Sequence, residues 1–167
     1  MSSWLAEHGA ALAVAAAGAV LVAVIGGVLT EIRDWYFSLR FPAWKPPNWA
    51  FGPIWTLILA CAALSAAIGW VAAAPGAPRA ALVALFAVNA GLNIFWNVLF
   101  FRWRRPDWAL VETGFLWLSV AAIVAFLWPV SPAASLLMVP YLVWVSIAAV
   151  LNFDIVRLNA PFGAERA

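Results

Sequence analysis

Five apolar runs, each close to the roughly 20 residues that carry a helix across a bilayer, leave this chain few ways to fold. They cover about residues 9–29, 53–73, 79–101, 108–128 and 133–156. Inside lipid, backbone N–H and C=O groups find no water, so a spanning segment is a helix or part of a closed barrel. Barrel strands are short and alternate apolar with polar residues, whereas these runs are long and continuous. The expected fold is therefore an all-α integral membrane protein, a single five-helix transmembrane bundle over residues 1–167. Composition agrees. Charged residues make up 10% of the chain, against about 25% in soluble domains. Residues 1–8 contain no Lys or Arg, so the basic region that opens a secretory leader is missing and the first run reads as a retained span.

Several function classes drop out on residue types alone. The single Cys61 forms no intrachain disulfide and no multi-cysteine metal site. His8 is the one histidine and precedes the first run, so no histidine reaches a haem iron from within the bundle. No zinc ligand set, phosphate-cradling glycine loop or nucleophilic triad is present, and no metal site is expected. The basic residues are scattered between apolar runs, which speaks against nucleic acid.

Between the first two runs lies a loop, residues 31–52, that leads into the stretch WYFSLRFPAWKPPNWAFGPIW at 35–55. Pro42, Pro46, Pro47 and Pro53 remove backbone donors and disfavour helix in the residues before them. With Trp35, Trp44, Trp49 and Trp55 in the same stretch, it reads as a stiff aromatic loop resting on something apolar, not a flexible linker. Pro53 suits the first turn of the second helix, and Pro140 falls inside the fifth.

Charge sets an expected orientation. Across five spans, the N-terminal face carries only Arg79. The opposite face carries Arg33, Arg40, Lys45, Arg102, Arg104, Arg105, Arg157 and Arg166. Positive charge marks the cytoplasmic side. The expectation is a bacterial-type inner-membrane protein with its N-terminus outside, and with its C-terminus and the Trp/Pro loop cytoplasmic.

Of the twelve tryptophans, Trp4, Trp35, Trp44, Trp49, Trp70, Trp103, Trp108 and Trp128 sit at helix ends, where an interfacial belt accounts for them. Trp55, Trp96, Trp117 and Trp144 fall within spans and need partners or a cavity. Asn89, Asn93 and Asn97 recur every fourth residue beside Trp96 and Phe100, as interhelical glue or as pocket lining. Tyr141, Trp144, Ala148, Leu151 and Ile155 share one helix face, with room for a flat guest or a close neighbour beside Ala148. Glu31, Asp34 and Asp154 are expected to pair with Arg33, Arg40 or Arg157. Glu112 is expected to pair with Arg104 or Arg105, or to line a path. Small residues on the third helix, Ala80, Ala84, Ala87 and Gly91, suit a homodimer contact, and Ala11, Ala15, Ala19 and Ala23 form a similar ladder on the first.

Three blocks of sequence resemble the TspO/MBR family, the tryptophan-rich sensory and translocator proteins. They are W-Y-x-x-L-x-x-P-x-W-x-P-P at 35–47 followed by G-P-x-W-T at 52–56, LNIFWNVLFF at 92–101, and PYLVWVSIAAVLNFDIVRLN at 140–159. The resemblance implies a five-helix bundle, usually dimeric, with a pocket under the first loop. It implies binding of protoporphyrin, haem and related tetrapyrroles, and of isoquinoline-carboxamide and benzodiazepine-type drugs, with no covalent cofactor. By motif position, Trp55, Asn93, Trp96, Trp144 and Ala148 would line the pocket, and Trp44, Pro46 and Pro47 would form its lid; Phe100 and Leu151, on the same helix faces by spacing, are expected to join the lining. In some bacterial members the tryptophans matching Trp55 and Trp144 are tied to light- and oxygen-dependent porphyrin breakdown. A binding sensor, such an enzyme and a small-molecule transporter are the three readings in that order. Transport ranks last because no repeat or charged midplane residue supports a gate. Two departures stand out. Phe153 lacks the hydroxyl of the sterol motif in animal members, and Asn97 replaces a proline or small residue, making the pocket more polar.

Overall fold

The computed structural model describes residues 2–163, which form seven α-helices and one π-helical turn, with no strand among the described residues. They are α1 (Ser2–Leu29), α2 (Asp34–Ser38), α3 (Asn48–Ala72), α4 (Ala77–Asn97) with its π-helical continuation Val98–Arg102, α5 (Pro106–Leu127), α6 (Pro132–Leu137) and α7 (Val139–Asn159). Five segments are long and apolar enough to span a membrane: α1, α3, α4 with the π turn, α5, and α6 with α7. Arg166 lies outside the described residues.

The spans match the five apolar runs, and their ends differ for identifiable reasons. α1 begins seven residues before Gly9, and His8 lies within it, stacked on Trp4 at 4.5 Å between ring centroids. The second helix starts at Asn48, not Pro53. Pro47 in extended backbone (φ −61°, ψ 148°) is its N-cap, so Pro53 lies inside the helix. The fifth span is broken. Ser131 caps α6 by accepting from the backbone N–H of Ala134, and Pro140 opens α7 at a position where its missing N–H costs nothing. Gly76 takes φ 90° in the turn before α4, a conformation open to glycine.

Most of the core lies between α3, α5, α6 and α7, around Ile58, Val120, Ile123, Leu127, Met138 and Tyr141. Two serines fasten α6 into it: Ser65 donates to the Ala134 carbonyl at 2.7 Å and Ser135 to the Val124 carbonyl at 2.8 Å. α1 packs along α3 at the edge, and His8 is its one buried side chain among the described residues. The three asparagines of α4 each bridge to a different helix. Asn89 donates to Ser119 on α5 (2.9 Å), Asn93 to the Tyr141 hydroxyl on α7 (2.9 Å), and Asn97 accepts from Thr30 just past α1 (3.2 Å).

Candidate ligand-binding site

A cavity of about 150 Å³ lies beneath the 31–52 loop, where α3, α4, α5 and α7 converge. Helical spacing supplies its walls. Phe51 and Trp55 are one turn apart on α3, and Trp144, Ala148, Leu151 and Ile155 descend one face of α7. The π turn supplies the rest. Its wider winding, closed by the Trp103 N–H to Val98 carbonyl bond at 2.9 Å, leaves Leu99, Phe100 and Phe101 all buried. An ordinary helix would turn one of three successive residues away. Phe100 then stacks on Trp96 at 4.9 Å, and Phe51 meets Trp144 edge to face at 5.7 Å.

The loop forms the roof with Tyr36, Phe41, Lys45 and Asn48. Lys45 is caged by aromatic rings, its Nζ 4.9 Å from the centroid of Phe41, 5.7 Å from Phe51 and 5.9 Å from Tyr36. Its ammonium donates to Asn48 Oδ1 at 2.6 Å and to the Pro46 carbonyl at 3.1 Å, which leaves one of its three N–H bonds for a ligand. Burial lowers the Lys45 pKa from the ordinary 10.5. Burial also pushes the Tyr36 hydroxyl up to about 12, so it stays protonated and donates to the same Asn48 oxygen at 3.0 Å.

Two polar contacts hold the roof to the end of α7. The Trp44 indole donates to Asp154 Oδ2 at 3.1 Å. Asn159 clasps the Arg40 backbone from both sides, accepting from its N–H and donating to its carbonyl, each at 2.8 Å.

Of the residues expected at the site, Trp55, Trp96, Phe100, Trp144, Ala148 and Leu151 line this cavity together. Trp44, Pro46 and Pro47 belong to the overlying loop but are not among the lining residues; Trp44 acts through Asp154. Asn93 is not there either. Its amide is spent on Tyr141 and it lines a separate crevice beside α1. Lys45 is the cation that reaches the cavity. Tyr36, Phe41 and Phe51 were not singled out from sequence, although Phe51 stands one turn before Trp55 and so could have been read as its neighbour. Trp117, expected to need a partner, donates its indole N–H to Ser146 at 2.9 Å.

Asp154 lies 3.8 Å from Arg157, one of its expected partners, but Glu31 and Glu112 differ from expectation. Glu31 takes Arg102, which also donates to the Val28 carbonyl, because the π turn swings Arg102 toward the end of α1. Arg105 is held by Asp107 two residues on. Glu112 is therefore left buried at 5% exposure, with neither carboxylate oxygen bonded among the described residues.

A sequence profile of the TspO/MBR family matches residues 11–158. The chain belongs to the TspO/MBR family. The Chlorobaculum tepidum tryptophan-rich protein TspO is 39% identical over 131 residues, covering 75% of this chain and 80% of the relative. The Rhodobacter capsulatus protein CrtK is 35% identical over 133 residues, covering 80% and 83%. The pig (Sus scrofa) translocator protein is 36% identical over 155 residues, covering 86% and 89%. All three alignments cover three-quarters or more of both chains, so membership in the TspO/MBR family applies to the bundle as a whole.

Proposed function

We propose that this TspO/MBR protein is a membrane sensor or regulator that binds tetrapyrroles, protoporphyrin or haem, in the cavity beneath its first loop. One observation carries the reading: three indoles and Phe100 surround a single cavity whose roof holds a cation, Lys45. A porphyrin offers flat faces that stack on aromatic rings and carboxylates that pair with an ammonium. The cavity lining contains neither histidine nor cysteine, so it favours free porphyrin over haem held through its iron. The same aromatic walls suit isoquinoline-carboxamide and benzodiazepine-type ligands. Binding sites for drug-sized molecules occupy about 300–1,000 Å³, so a cavity of about 150 Å³ admits such a ligand only if the loop shifts.

A second reading, porphyrin breakdown driven by light and oxygen, draws support from Trp55 and Trp144 facing the same cavity. Transport lacks a comparable observation. Orientation with the N-terminus outside and the loop cytoplasmic in a bacterial-type inner membrane rests on the one-sided arginines and lysine. A homodimer through α4 gains support from the exposure of Ala80, Ala84, Ala87 and Gly91.

The test is purified protein in nanodiscs titrated with protoporphyrin, in darkness and under illumination, with fluorescence and products followed. Saturable quenching without a new product supports the sensor. A product formed only in light and lost in both Trp55→Phe and Trp144→Phe supports the enzyme. Absence of saturable quenching rejects both.

A further inference from the structure

Lys45 is the only lysine in the chain, and it is half-buried in the roof of the cavity. Three aromatic rings surround its Nζ, and among the described residues no carboxylate pairs with it. Burial lowers its pKa from the ordinary 10.5, so near neutral pH more of it is free amine than in an exposed lysine. Lysines desolvated in this way act as nucleophiles toward carbonyl compounds.

The hydrogen bonds of Lys45 suit a neutral amine as well as an ammonium. Two acceptors face Nζ, Asn48 Oδ1 at 2.6 Å and the Pro46 carbonyl at 3.1 Å. They take both hydrogens of a neutral amine, whose lone pair then holds the remaining tetrahedral position. That position is left for a molecule in the cavity that Lys45 lines. Size and walls narrow what the molecule is. The cavity is about 150 Å³ and is walled by Trp55, Trp96, Phe100 and Trp144, and an apolar cavity of about 150 Å³ takes up one benzene ring. Phe51 joins the amine to this wall, its ring centroid 5.7 Å from Nζ and 5.7 Å from that of Trp144.

We propose that Lys45 is a nucleophilic amine that captures a small aromatic aldehyde, one ring in size, as an imine within this cavity. The lone pair attacks the aldehyde carbon, so that a C–N bond forms, the C=O π bond opens, and one proton passes from nitrogen to oxygen. The carbinolamine then loses that oxygen as water together with the second amine hydrogen, and the C=N bond forms. The step is a condensation and needs no oxidant or reductant. An imine nitrogen that takes up a proton from water keeps one N–H for Asn48, and its charge lies among the same three rings that surround the ammonium. An aldehyde with a charge at the far end of its ring would bury that charge between indoles and is disfavoured. The capture uses Lys45 and the cavity without a bound tetrapyrrole, and so goes beyond the function proposed above.

The experiment incubates the full chain, in phosphatidylcholine nanodiscs that carry no lipid primary amine, with 4-methylbenzaldehyde and cyanoborohydride. The reductant converts the imine to a stable secondary amine, and mass spectrometry maps it. The Lys45 adduct should saturate with aldehyde concentration and form about tenfold faster than the adduct of Nα-acetyl-lysine amide at neutral pH. 4-Formylbenzenesulfonate, more electrophilic but charged, should label Lys45 about tenfold less than the methyl compound does. Ala148→Phe fills the cavity and leaves the lysine in place, so it should abolish the saturable adduct, with the melting temperature in nanodiscs checking the fold. Labelling that rises linearly at the rate of the lysine amide overturns the proposal, as does equal labelling of the wild type by the two aldehydes. So does saturable labelling that persists unchanged in folded Ala148→Phe. A saturable adduct in protein that shows no saturable porphyrin quenching supports the capture while rejecting the tetrapyrrole reading, so the two fail separately.

Discussion

Trp44 donates its indole N–H to Asp154, 3.1 Å away, and so ties the loop over the cavity to the last turns of α7. Asp154 also lies 3.8 Å from Arg157, an exposed pair of the kind that contributes little on its own. The roof is thus closed by a few contacts that can break singly, over a cavity smaller than the proposed ligand. Trp44→Phe keeps the ring and removes the N–H. It should raise the association rate of protoporphyrin several-fold in stopped-flow quenching, with little change in melting temperature. An unchanged association rate would show that Trp44 does not hold the roof.

Lys45 gives the site a pH dependence whose sign follows from its surroundings. Burial lowers its pKa from 10.5, so the ammonium loses its proton earlier in an alkaline titration than an exposed lysine does. A bound carboxylate favours the charged form, so the complex takes up protons near that pKa. Affinity for protoporphyrin should be full below the lowered pKa and fall as pH rises through it. Lys45→Gln should weaken binding about tenfold at neutral pH, as expected for loss of a charge-assisted hydrogen bond. It should also flatten the profile. A pH dependence that persists in Lys45→Gln assigns it to another group.

Much of the bundle was legible because lipid demands long apolar helices, and no other pattern explains runs of this length. The walls contributed by Trp55 and by Trp144, Ala148 and Leu151 were legible through helical spacing and family motifs. The burial of Leu99, Phe100 and Phe101 together was not, since periodicity assumes an α-helix and the π turn breaks that count. The caging of Lys45 was equally hidden, because it depends on how the loop folds back over Phe41 and Phe51. Asn93 shows the converse limit: the asparagine stripe drifts around α4 and divides between two cavities, with Asn97 at one and Asn89 and Asn93 at the other.

Glu112 is buried with both carboxylate oxygens unbonded. Removing such a group without changing its volume should stabilise the fold. Glu112→Met is expected to raise stability by about 1–3 kcal/mol, read as a higher melting temperature in nanodiscs. A lower melting temperature would show that the carboxylate bonds to something the fold requires.

Arg104 turns the chain between the π turn and α5 with φ 55°, a conformation that side chains disfavour. Its guanidinium lies over the Trp35 ring at 5.9 Å, an exposed and weak contact. Arg104→Gly should therefore raise stability by up to about 1 kcal/mol. Chemical denaturation checks this, and a loss of stability would mean that the stacking on Trp35 outweighs the backbone strain.

The central claim is that a tetrapyrrole binds among the indoles beneath the loop. Ala148 lies one turn from Trp144 on the cavity wall, and Ala148→Phe would fill the space without touching the loop contacts. Titration of protoporphyrin into wild-type protein in nanodiscs, followed by tryptophan quenching, should saturate, and Ala148→Phe should abolish the saturable component while the protein stays folded. Quenching that rises without saturation, identically in wild type and Ala148→Phe, would contradict the account.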